Sequence, residues 1–126
     1  MNLNQVTIPA HDLSRAVAFY KTLGLNLIVD ALPDYVRFEC PDGEATLSIH
    51  RESTVSEEQG AIIYFECEDL DAEVKRLEAA GLIFDSGPRD EPWLWREARL
   101  RDPDQNRIVL FHAGQNRKNP PWRVRD

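Results

Sequence analysis

The chain repeats itself, and that repeat constrains its fold more than any other feature. Asp12 precedes a helical stripe of Leu13, Val17 and Tyr20, widened by Ala16 and Phe19, and Gly24 follows it. Asp69 precedes a second stripe, Leu70, Val74 and Leu77, and Gly81 follows that one. Cap to glycine is 12 positions in both, and the two caps stand 57 apart. A short carboxylate can accept from the free amides of a first helical turn, and glycine takes the left-handed conformation that ends a helix. Cys40-Pro41-Asp42 and Asp102-Pro103-Asp104 match in the same way, each before a final strand. Caps, stops and turns together predict a duplicated strand–helix–three-strand unit, longer than the solenoid periods.

The strands follow from alternation. Val6 and Ile8 alternate with Gln5 and Thr7 in an opening strand over residues 2–9, and further strands are expected over 26–30, 34–40, 45–50 and 61–67. Trp93 to His112 reads as two strands around the turn Asp102-Pro103-Asp104-Gln105-Asn106. On that hairpin Ala98, Leu100, Ile108 and Leu110 belong to a core face. The other face carries Trp95, Glu97, Arg99, Val109 and Phe111, a mixture that suits the wall of a pocket. Residues 51–60 are polar without periodicity and read as a loop, and Asp71 can pair with Lys75 at i, i+4.

A chain of 126 residues holds one domain with a real core. We divide residues 1–126 into a first module over 1–58, a second over 59–114 and a C-terminal tail over 115–126. The net charge of −7 argues against a nucleic-acid or anionic-membrane partner. No apolar run is long enough to span a membrane, and no targeting segment is evident, so a cytoplasmic location is expected. Cys40 and Cys67 have no metal-site spacing and read as buried small hydrophobes. In the tail, Trp122 follows Pro120-Pro121 and is expected to dock on this subunit or a partner.

These features resemble the glyoxalase/bleomycin resistance/dioxygenase superfamily, the vicinal oxygen chelate fold. The likeness rests on Asp12-Leu13 with Ala16, Phe19-Tyr20 and Leu23-Gly24, then on Phe65 to Leu70 with Ala79-Ala80-Gly81, then on Trp93 to Phe111. The turn at 102–106 has Gln105 where the family usually has glycine. The resemblance implies an α+β fold, tandem βαβββ modules forming a cupped eight-stranded mixed sheet with helices outside. It also implies a homodimer and a small-molecule ligand inside the cup. Members with metal chemistry place His, Gln or Glu at four cup-facing positions, which carry over here to Gln5, Ser48, Ile62 and Val109.

Isoleucine and valine cannot ligate, and serine is a poor ligand, so no cofactor is expected. The route left to a divalent metal is Gln5 with His50 and a carboxylate such as Glu66. Alternation places Gln5, Thr7, Tyr35, Arg37, Glu39, Ser48, His50, Ile62, Tyr64, Glu66, Trp95, Glu97, Arg99, Val109 and Phe111 on the cup side. The polar and aromatic members of that set other than Glu39 are the expected ligand-binding residues. The expected function is metal-independent binding of a small polar or aromatic molecule, for sequestration or resistance. The alternative is a lyase, isomerase or dioxygenase of the same superfamily with a non-standard metal site. In a metal-free enzyme, His50, Glu66 and Glu97 are the candidates for acid/base work.

Overall fold

The computed structural model describes residues 1–53 and 60–124, so residues 54–59 of the expected loop lie outside the described residues. Asp12 caps α1 (Leu13–Leu23), its carboxylate accepting from the amides of Ser14 at 3.0 Å and Arg15 at 3.3 Å. Asp69 caps α2 (Leu70–Ala79) by accepting from Ala72 at 3.1 Å. Both helices stop by the same device. Gly24 and Gly81 sit at φ +117° and +98°, donating to the carbonyls of Lys21 and Glu78, while Leu25 and Leu82 reach back to Tyr20 and Leu77. This is the Schellman closure, which satisfies the last carbonyls and needs a residue free of β-carbon strain. Each of its positions recurs 57 residues later. Asp71 is taken not by Lys75 but by Arg96, whose Nε and Nη2 reach its two oxygens at 3.2 and 3.0 Å. A planar fork matches a carboxylate better than an ammonium does.

The strands are β1 (Gln5–Ala10), β2 (Asn26–Ala31), β3 (Tyr35–Glu39), β4 (Thr46–Arg51), β5 (Ile62–Glu66), β6 (Phe84–Asp90), β7 (Arg96–Arg101) and β8 (Arg107–His112). They hydrogen-bond as two four-stranded sheets, β1-β4-β3-β2 and β5-β8-β7-β6. The β1/β4 and β5/β8 pairs are parallel, and β2/β3, β3/β4 and β6/β7 are antiparallel. The class is α+β in tandem βαβββ order, as the repeat predicts. The strand least marked in the sequence is β6, where Gly87 and Pro88 interrupt the alternation and the register slips between Ser86 and Arg89.

By contacts the chain forms two units, Met1–Ala61 with Arg101–Asn106, and Ile62–Leu100 with Arg107–Asp126. In the first, Phe19, Tyr20, Val36, Phe38, Leu47 and Ile49 are buried under α1; in the second, Leu70, Val74, Leu77, Leu100, Ile108 and Leu110 are buried with α2. The Asp102–Asn106 turn belongs to the first unit. Asp102 there accepts from the Tyr20 hydroxyl at 2.7 Å and from the amides of Asp104 and Asn106, both at 2.9 Å. Asp104 accepts from the His11 amide at 2.6 Å, and the Asn106 side chain donates to Pro9 at 2.8 Å. Among the described residues, no helix is long and apolar enough to cross a membrane.

Candidate functional site

The open face of the first sheet is built by period-two alternation, with Val36, Phe38, Leu47 and Ile49 turned the other way into the core. Strand register puts Thr7, Ser48 and Arg37 side by side across β1, β4 and β3, with His50 and Tyr35 paired in the neighbouring row. Ser48 is fully buried. Its hydroxyl lies 2.7 Å from the Tyr35 hydroxyl, which also accepts from Arg37 Nε at 3.0 Å. The bond to Ser48 holds the Tyr35 phenol below its ordinary pKa; burial opposes it, and the bond and charge of Arg37 each add a smaller lowering effect. The Arg37 guanidinium also lies 5.6 Å from the Tyr35 ring centroid. Gln5 accepts from Thr46 at 3.0 Å, and His50 points its Nδ1 at Glu52, 3.3 Å away, with its side chain more than half exposed. Thr7 and Glu39 are exposed.

The corresponding face of the second sheet is aromatic. Trp95 and Phe111 stack at 4.6 Å with an 18° interplanar angle, and Tyr64 stands edge-on to both, at 6.0 and 5.7 Å. Phe111 and Val109 are buried, whereas Tyr64 keeps 46% of its surface exposed. Trp95 and Phe111 therefore fill part of this face themselves, and Tyr64 is the most exposed ring of the three. Ile62 is exposed beside it on β5. Glu97 is buried and accepts from Trp93 Nε1 at 2.6 Å and Arg99 Nη2 at 3.1 Å. Two donors of this kind compensate for taking the carboxylate out of water.

Glu66 has a role that alternation did not reveal. One of its oxygens accepts from the amides of Ala113 at 2.8 Å and Gly114 at 3.0 Å, and Arg117 approaches the other at 3.7 Å. It anchors a 3₁₀ turn over Gly114–Asn116, onto whose last carbonyl Trp95 Nε1 donates at 3.4 Å. The start of the tail is thus part of the site's wall. The only hint in the sequence is Gly114 closing an apolar strand with basic Arg117 just beyond. Trp122, by contrast, remains 58% exposed, so this chain does not bury it. The candidate acid/base residues have other partners: His50 is with Glu52, Glu66 with the 3₁₀ turn, and Glu97 with Trp93 and Arg99.

The family's metal chemistry needs donors that these positions do not supply. Pairing aligns Thr7 with Ser48 and Tyr64 with Val109, which makes Ser48 and Val109 equivalent in the two sheets. Val109 and Ile62 carry no donor atom, the Ser48 hydroxyl is bonded to Tyr35, and Gln5 Oε1 already accepts from Thr46. No three His, Cys, Asp or Glu side chains converge to hold a metal ion among the described residues. The donor set does not fit a catalytic divalent ion, which takes about three protein ligands. Cys67 is no substitute: burial first, then the charges of Glu73 and Glu66, push its thiol up to about 11.

A family profile for the glyoxalase/bleomycin resistance protein/dioxygenase superfamily matches residues 2–110. The chain belongs to this superfamily. It is 28% identical over 127 residues to the uncharacterized protein YraH of Bacillus subtilis strain 168, covering 88% of this chain and 98% of YraH. Among solved structures, a superfamily member from Sphaerobacter thermophilus is 26% identical with a TM-score of 0.74, over 89% of this chain and 97% of that one. A bleomycin-binding protein complexed with bleomycin superposes with a TM-score of 0.72 at 18% identity, over 89% and 98% of the two chains, and shares the fold.

Proposed function

We propose that this superfamily member binds a small planar or partly polar molecule against the Tyr64 face of its second sheet, without a metal, in a sequestering or resistance role. The observation that carries this reading is a replacement. The positions that would ligate a metal hold Ile62, Val109 and an engaged Ser48, and Tyr64 on β5 and Phe111 on β8 cluster instead with Trp95, just before β7, leaving one ring open. Aromatic walls with a few fixed polar groups suit small-molecule binding. Similarity in fold to a bleomycin-binding protein supports it. In this reading the chain acts as a cytoplasmic homodimer. An enzyme with a non-standard metal site has less behind it, because Gln5, His50 and Glu66 are each engaged elsewhere.

The test is a thermal-shift screen of planar aromatic and cationic compounds in the presence of EDTA. A ligand at about 100 times its Kd adds about 2.7 kcal/mol of stability, or several degrees in a chain of this size. Hits that shift the wild type and lose at least half of the shift in Tyr64→Ala support the reading. Hits indifferent to Tyr64→Ala and to Trp95→Ala would place the ligand elsewhere.

A further inference from the structure

Arg37 differs from Arg51, Arg89, Arg96 and Arg99 on the strands of the two sheets. Arg51 pairs with Asp34, Arg89 with Glu91, Arg96 with Asp71 and Asp90, and Arg99 with Glu97. Arg37 has no carboxylate partner among the described residues, yet it is half withdrawn from water. Its guanidinium is fixed at one edge only, by Nε on the Tyr35 hydroxyl and by contact with the Tyr35 ring. The Nη1 and Nη2 edge has no protein acceptor among the described residues. A cation held in place but left without a counter-charge is costly unless something else supplies one.

The surroundings favour one kind of partner. Arg37, Ser48 and Thr7 form one row across three adjacent strands. Sheet spacing sets Arg37 and Thr7 about 10 Å apart, with Ser48 between them buried under the Tyr35 hydroxyl, so the accessible polar groups of this row are Arg37 and Thr7. The Tyr35 hydroxyl accepts from Arg37 and shares a hydrogen bond with the Ser48 hydroxyl, and this relay holds both groups in position. A free guanidinium edge presents two parallel donors, the match for a planar carboxylate. We infer that Arg37 docks the carboxylate of a small organic acid on the open face of the first sheet, with Thr7 in the same row two strands away. The assignment concerns the first unit alone and does not depend on the Tyr64 reading.

The experiment follows arginine Nε–H and backbone amide resonances of the full chain during titration with benzoate and, separately, with benzamide, which keeps the ring and lacks the charge. The expected result is saturable benzoate shifts at Arg37 Nε–H and at the amides of Thr7 and Ser48, with benzamide at least tenfold weaker. Arg37→Met abolishes the response while the remaining spectrum keeps its dispersion, and Arg37→Lys retains part of it. Equal responses to benzoate and benzamide would overturn the assignment. So would a benzoate response that survives Arg37→Met, or no saturable shift in the tens of millimolar.

Discussion

Tyr20 is completely buried, and its hydroxyl donates to Asp102, itself buried. Burial first, and then the nearby charges of Asp102 and Asp104, raise the Tyr20 phenol far above its usual value of 10.0. The folded chain therefore keeps this proton at pH values where the unfolded chain loses it. The stability it confers is complete below pH 10 and falls as pH rises beyond that, by about 1.4 kcal/mol per unit. Urea titrations at pH 9 to 11 should show this slope, and Tyr20→Phe should remove that share of it. At neutral pH the same substitution should cost about 1–3 kcal/mol, because it strips a donor from a buried carboxylate. Gln105 poses the opposite case. It sits at φ +68°, where a β-carbon is strained. Gln105→Gly should be neutral to stabilising, by up to about 1 kcal/mol, when the urea midpoints are compared. Cys67, with its thiol pushed up to about 11, should react with a thiol reagent at pH 8 about a hundredfold more slowly than an unperturbed cysteine.

At the level of elements, the helices were legible because their signals are local. Asp12, Asp69, Gly24 and Gly81 act on amides and carbonyls within a turn of themselves, so sequence spacing suffices to place them. Alternation likewise assigned Val36, Phe38, Leu47 and Ile49 to the buried side. It could not say which partner a polar side chain would choose. Asp71 finds Arg96 rather than Lys75, and Glu66 finds the amides of the 3₁₀ turn, because both partners are brought close only by the folded chain. β6 escaped definition since Gly87 and Pro88 erase its period. The Glu66 contact makes its own prediction. Glu66→Ala should release the Ala113 and Gly114 amides and raise their hydrogen exchange by tenfold or more, with little change at the core strands.

For the whole molecule, the repeat of 57 residues announced two βαβββ modules, and two sheets of matching strand order bear it out. The strand faces were equally legible. What stayed hidden is how those faces spend their polar groups, since period-two alternation gives direction and not partners. Glu97 and Glu66 are engaged within the second unit and His50 within the first, while Tyr64 stays exposed and one guanidinium edge of Arg37 has no acceptor among the described residues. We propose that this superfamily member binds its ligand without the family metal. The most direct measurement is the melting temperature against a panel of planar aromatic compounds, run once in EDTA and once with zinc or ferrous iron. Shifts of several degrees are expected in EDTA, unchanged by added metal and reduced by Tyr64→Ala. Stabilisation by metal alone at stoichiometric concentration, abolished by His50→Ala, with no compound effective in EDTA, would contradict it.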